Sequence, residues 1–189
     1  ALLLGIGGVG LYGMSQANDA LKSVYQDRTV CMGQIAEIQN LLQKNRLAVT
    51  ASLLTPAPDV ITQKTSEIES NIAKISKVWG EYQATKLSEQ EAALATQFSD
   101  HRKRFVQEGL LPAVAALRAH NQTDANRLFE DKIQPLYPPV EKGIADLMAI
   151  QISEARNDFE QSMSLYSLIR LVALASIGLG LVCAALFGY

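Results

Sequence analysis

The sequence predicts an all-α protein, an antiparallel up-down four-helix bundle with flanking transmembrane helix segments. Three observations carry that expectation. Apolar residues recur at alternating steps of four and three through most of the chain, the spacing of one packed face on a long helix. The alternation expected of a half-buried strand is missing. Finally, the apolar residues beyond those seams collect at the two ends, in Ala1–Met14 and in the charge-free run Leu171–Tyr189.

The first helix is expected from about Ser15 to Leu54. Its seam is Val24, Arg28, Cys31, Ile35, Ile38, Leu42, Asn45 and Val49, apolar except at Arg28 and Asn45. A polar group on a packed seam costs stability unless it meets a partner, so these two fix register or meet something polar. Thr55-Pro56-Ala57-Pro58 ends this helix, because proline disfavours helix at its own site and in the residue before it. A second helix follows from about Asp59, with Asp59 as the expected N-cap. Its seam is Ile61, Thr65, Ile68, Ile72, Ile75, Trp79 and Tyr82, and Trp79 is read as core. Ser88-Glu89-Gln90-Glu91 has the form of a capping box and opens a third helix.

The third helix shows Leu94, Phe98 and Phe105, then changes phase to Val106, Leu110, Val114 and Leu117. That slip falls beside Gly109 and Pro112, which predicts a stutter or bend. The helix ends near His120, and Asn121-Gln122-Thr123-Asp124 caps the fourth. The fourth helix carries Ile133, Tyr137, Val140 and Ile144, with Pro135 and Pro138-Pro139 expected to kink or open it. Beyond them Met148, Ile152, Ala155, Phe159, Met163 and Tyr166 are expected to lead without a break into the second span.

Leu171–Tyr189 is long enough to cross a hydrocarbon core about 30 Å thick. Ala1–Met14 lacks a basic leader and an A-x-A cleavage site, so it reads as the outer half of a membrane helix rather than a signal peptide. The expected organisation is residues 1–14 as the end of a first transmembrane helix, 15–166 as the bundle and 167–189 as a second transmembrane helix. The chain reads as a module of a longer protein. All charge except Arg170 lies in Ser15–Tyr166, which is net acidic and argues against nucleic acid as a partner. Cys31 and Cys183 are read as unpaired small apolar residues.

Catalysis has little to stand on. The chain has no G-x-S-x-G, HExxH or P-loop motif, and no Glu-x-x-His pair of the metal-binding kind. No catalytic residue, metal site or cofactor is expected. His101 and His120 read as surface residues. The carboxylate pairs Glu67/Glu69 and Glu89/Glu91 are spaced two apart and read as solvated faces. The run His101-Arg102-Lys103-Arg104 reads as a solvated face rather than an anion site. Arg28 stands open between register fixing, an interface or lipid contact, and a ligand contact. Arg46 carries the strongest ligand argument. It lies eight residues before Leu54, roughly 12 Å down the helix, level with the proline-disturbed start of the fourth helix and near Tyr137. The alternatives for it are a salt bridge to Glu130 or Asp131 and a bare surface position.

Tyr25-Gln26-Asp27-Arg28, Ala36-Glu37-Ile38-Gln39 and Asn45-Arg46 follow an apolar segment, and Pro135-Leu136-Tyr137-Pro138-Pro139-Val140 precedes another. In that order and spacing they resemble the four-helix-bundle ligand-binding module of bacterial methyl-accepting chemotaxis proteins. The resemblance implies a periplasmic domain in the bacterial inner membrane that forms a homodimer, binds a small molecule near its outer end and signals down the fourth helix. Aspartate- and serine-type members use several arginines on the outer first helix. Here only Arg46 occupies that region, so a small organic acid is the expected ligand, held by Arg46 with Asn45 and Tyr137. The same module in front of a histidine kinase or a cyclic-nucleotide enzyme is the nearest alternative, followed by a membrane-anchored scaffold without a small ligand.

Overall fold

The computed structural model describes residue 8, residues 12–16 and residues 28–187. Val24, Tyr25, Tyr189 and most of Ala1–Met14 lie outside the described residues, as does the side chain of Cys183. The described residues contain helix and turns but no strand. The elements are α1 (Val30–Leu54), α2 (Pro58–Gln83), α3 (Glu89–Arg104), the π-helical turn π1 (Phe105–Leu110), α4 (Leu111–Arg118), α5 (Gln122–Leu128), the π-helical turn π2 (Phe129–Ile133) and α6 (Gln134–Phe187). The chain divides into two compact units, Val30–Gln151 and a second made of Ala1–Thr29 with Ile152–Tyr189.

Val30–Gln151 is a bundle of four antiparallel helices. Moving forward along α1, Cys31 meets Thr85 just beyond α2, and Glu37 and Asn45 meet Lys74 and Asn71 of α2, in reverse order. Tyr82 and Trp79 of α2 likewise meet Glu91 and Ser99 of α3, and Thr65 meets Arg118 of α4. Glu91, Phe98, Phe105 and Gly109 then face Gln151, Gly143, Tyr137 and Ile133. The core is built mainly from the predicted seams, although Ile72, Leu94, Val106 and Met148 are only half-buried and Leu41 and Leu147 join it. Cys31, Ile35, Ile38, Leu42 and Val49 of α1 are buried, as are Ile61, Ile68, Ile75, Trp79 and Tyr82 of α2. Phe98, Phe105, Leu110, Val114 and Leu117 join Ile133, Tyr137, Val140, Ile144 and Leu147 on the facing side.

Local chemistry explains most element boundaries. The side chain of Ser88 accepts from the Glu91 amide, as a capping residue should, and Asn121 accepts from the Asp124 amide. The α2 start differs from expectation. Its N-cap is Ala57 without a side-chain bond, and Asp59 sits inside the first turn. Pro58 is preorganised for the first helical position, and Asp59 there complements the positive helix end. The α4 end is a Schellman closure: the Asn121 amide reaches the Ala116 carbonyl and the His120 amide reaches that of Leu117. This places His120 at φ 53°, where glycine is the usual occupant.

The two irregularities expected from proline and phase appear as wide turns. In π1 the Leu111 amide bonds back five residues to Val106, and in π2 the Gln134 amide bonds back to Phe129. A π turn holds one extra residue, which rotates the buried face and produces the five-residue step from Phe105 to Leu110. Each π turn is followed within two residues by proline, Pro112 or Pro135, whose ring cannot sit against the carbonyl four residues back. The second disturbance therefore precedes Pro135, and α6 continues helically through Pro138 and Pro139. The residues expected to continue the seam, Ile152, Phe159, Met163 and Tyr166, are exposed. One window of that helix is long and apolar enough to cross a membrane, with mean hydropathy 2.0 and none of it buried.

The left-handed backbone at His120 gives the first prediction. Holding an L side chain there costs about 1–2 kcal/mol, part of which glycine returns as unfolded-state entropy. His120→Gly is expected to stabilise the full chain by about 0.5–1 kcal/mol, and His120→Val to destabilise it, in urea unfolding followed by circular dichroism.

Candidate functional site

The solvent-facing site is built on α1, π1 and α6. Gly109 in π1 lets that turn approach π2 closely, since a Cβ there would lie 3.3 Å from Ile133 Cγ1. One helical turn beyond Ile133, the Tyr137 ring is buried against Phe105, with centroids 5.7 Å apart and planes tilted by 59°. The exposed Arg46 guanidinium lies over the other part of this aromatic pair, 4.6 Å from the Tyr137 centroid. Burial raises the Tyr137 pKa, and Glu141 adds to that while Arg46 opposes it. A cation over a tyrosine ring at this separation gains about 0.5–1 kcal/mol where exposed, and keeps its N–H edge available to an anion.

Arg46 forms no ion pair with Glu130 or Asp131 among the described residues. Glu130 instead accepts from Gln134 Nε2 at 3.0 Å. Lys132 turns to Glu108 at 3.5 Å, and Glu108 also pairs with Arg104 at 3.1 Å. Arg46 and Tyr137 are thus brought together as expected, whereas Asn45 faces the interior. Asn45 is fully buried, its Oδ1 accepting from Asn71 Nδ2 at 2.9 Å while its own Nδ2 has no partner.

Other residues singled out from sequence sort by environment. Trp79 is core, donating to Ser99 Oγ at 3.0 Å and stacking on Tyr82 at 5.0 Å. In the basic run His101 and Arg102 are half-buried; Arg102 donates to Ser76 Oγ at 3.2 Å, and burial lowers its pKa. Glu69 is solvent-facing and accepts the Arg118 fork at 2.7 and 2.6 Å, which holds its carboxyl below the usual range. Arg28 belongs to the second unit. It bonds Asp158 at 3.1 Å and also Glu154; burial lowers its pKa, but these partners leave it raised overall. A hollow of about 470 Å³ on α6 is lined by Asn157, Glu160, Gln161, Ser164 and Leu165, residues of one helix that enclose nothing.

Glu91 overturns its expectation. It is fully buried rather than solvated, and Tyr82 Oη and Gln151 Nε2 both donate to its Oε1. Glu91 Oε2 and Gln151 Oε1 are buried without a partner. Burial raises the Tyr82 pKa most, and the bond to Glu91 raises it further. The first turn of α3 favours negative charge by about 0.3–1 kcal/mol, less than the several kcal/mol that an unpaired buried ion costs. Spacing alone hid this group, although Gln151 falls seven residues after Ile144 on the seam, a polar residue at a core position. Among the described residues no cluster of His, Cys, Asp and Glu is placed to hold a metal ion.

The described residues thus combine a helical bundle, an exposed arginine over a tyrosine ring on its flank and an apolar continuation of its last helix. The family follows from comparison: residues 1–155 match the Tar ligand binding domain homologue family, and the chain belongs to it. It is thus a chemoreceptor sensor domain. The methyl-accepting chemotaxis protein NahY of Pseudomonas putida is 23% identical over 183 residues, covering 95% of this chain. The chain spans 33% of that relative's length. No solved structure matches.

The Asn45–Asn71 pair gives a prediction for the bundle beneath the site. Removing one partner of a buried hydrogen bond costs about 1–3 kcal/mol, whereas replacing both with apolar groups is nearly neutral. Asn45→Ala is expected to lose about that amount in chemical unfolding, and Asn45→Leu/Asn71→Leu to lose less than either leucine substitution alone.

Proposed function

We propose that this domain senses a small organic acid at the outer part of the bundle and passes the signal through α6 to the membrane. The supporting observation is the Arg46 guanidinium over the Tyr137 ring, with no carboxylate bonded to it among the described residues. Arg46 supplies the bidentate fork for a carboxylate, and Tyr137 supplies the ring that orients it. Asn45 sets the register of α1 through Asn71, so that the neighbouring Arg46 faces outward. The π turns beside the site are the deformable backbone through which occupancy acts on α6.

In this reading residues 15–166 form a periplasmic domain anchored in the bacterial inner membrane, with residues 1–14 and 167–189 as the flanking spans. The domain works as a homodimer along the first helix. Leu47 and Leu54, one heptad apart on α1, are 67% and 79% exposed and support that surface. NahY's description as a methyl-accepting chemotaxis protein favours chemotaxis as the output.

A screen of organic and amino acids by thermal shift tests the ligand. A ligand at a hundred times its Kd stabilises the protein by about 2.7 kcal/mol. Arg46→Ala is expected to weaken binding by roughly 10- to 150-fold while the bundle stays helical, and Arg46→Lys to recover part of it. An alanine variant of unchanged affinity refutes the site. Dimer and topology are checked in intact cells. Cysteine at Gln39 is expected to cross-link to its copy in the partner, and cysteine at Ala57 to react with a membrane-impermeant thiol reagent. Labelling at Ala57 only after lysis overturns the periplasmic placement.

A further inference from the structure

The Glu91 carboxyl is buried at the end of the bundle opposite Pro56, between three helices. Both donors that reach it, Tyr82 Oη from α2 and Gln151 Nε2 from α6, go to Oε1. The two orphaned atoms, Glu91 Oε2 and Gln151 Oε1, are both acceptors when the carboxyl is ionised. Turning the Gln151 amide over sets its oxygen against Oε1, so neither orientation of Gln151 serves an ionised Glu91. No Lys, Arg or His side chain bonds to the carboxyl among the described residues. The titratable neighbours are Tyr82 from α2 and, acting on Tyr82, Cys31 from α1; α6 presents the neutral Gln151.

A single proton answers both orphans. We propose that Glu91 is neutral in the folded bundle and that its Oε2–H donates to Gln151 Oε1, closing an acid–amide ring between α3 and α6. The amide N–H donates to one carboxyl oxygen and the acid O–H returns to the amide carbonyl, so every polar atom of the pair is bonded. A water molecule in the same place satisfies both oxygens but leaves the buried charge unpaired, and the modest pull of the α3 N-terminus does not offset that cost. The ring, with Tyr82 as its third member, is a clasp that ties α6 to the α2–α3 hairpin while the proton is held. Release of the proton removes one of its bonds and places an unpaired charge in the core.

Infrared spectroscopy of the full chain in lipid nanodiscs, with carboxyl-labelled glutamate, reads the protonation state directly. At neutral pH the wild type is expected to show the carbonyl band of a neutral acid, absent from Glu91→Gln. Thermal unfolding gives the second readout. Glu91→Gln places an amide donor and acceptor where the acid had them, so its Tm is expected to equal or exceed that of the wild type, while Glu91→Ala unfolds at lower temperature. Absence of the neutral-acid band in the wild type overturns the proposal, because the site then holds an ion with water or a cation. A Tm for Glu91→Gln as low as that of Glu91→Ala overturns it as well.

Discussion

The contact between the two π turns at Gly109 and Ile133 governs where the solvent-facing site sits. Each turn holds one residue more than an α turn, so each rotates the helix that follows it. With no side chain at Gly109 the turns meet almost backbone to backbone. Phe105 at the start of one and Tyr137 one turn after the other then pack ring on ring. Tyr137 is thereby held with part of its face toward α1, where Arg46 covers it. A regular α-helix at either place would rotate one aromatic ring off the core, and the arginine would lie over aliphatic surface.

The buried polar groups answer a different need. A core of isoleucine, leucine and phenylalanine tolerates helix sliding, because apolar contacts are non-directional. Asn45 with Asn71 ties α1 to α2, and Glu91 with Tyr82 and Gln151 ties α2, α3 and α6. Directional bonds in a dry interior make other registers costly, the role best attested for buried polar residues on helical seams. The Asn45–Asn71 pair lies near the middle of α1 and α2 and the Glu91 cluster at the end opposite Pro56, so the register is held at two levels of the bundle.

For a chemoreceptor sensor domain, that division separates the part that holds register from the solvent-facing part proposed to meet a ligand. Arg46 and the π turns combine an available cation with backbone that departs from ideal hydrogen bonding. Arg28 adds a charge-paired contact to Asp158 and Glu154 in the second unit.

Much of the architecture was legible because helix seams depend only on spacing along the chain. Most core positions of α1 through α6 up to Ile144, the Ser88 and Asn121 caps, the stop at Pro56 and the slip beside Gly109 follow from residues within a few turns of each other, whereas beyond Ile144 the buried face runs through Leu147 and Gln151 rather than Met148 and Ile152. Pairing Arg46 with Tyr137 was also readable, since helical rise converts residue number to depth. The fate of Glu91 was not. Its neighbours in sequence, Glu89 and Gln90, are exposed, and its partners Tyr82 and Gln151 come from two other helices, so only tertiary packing could bury it. Likewise, local sequence marked Asn45 as a seam residue and Arg46 as its flank. Whether Arg46 paired with Glu130 or lay over a ring depended on how two π turns rotated α6, a rotation set by contact between distant segments.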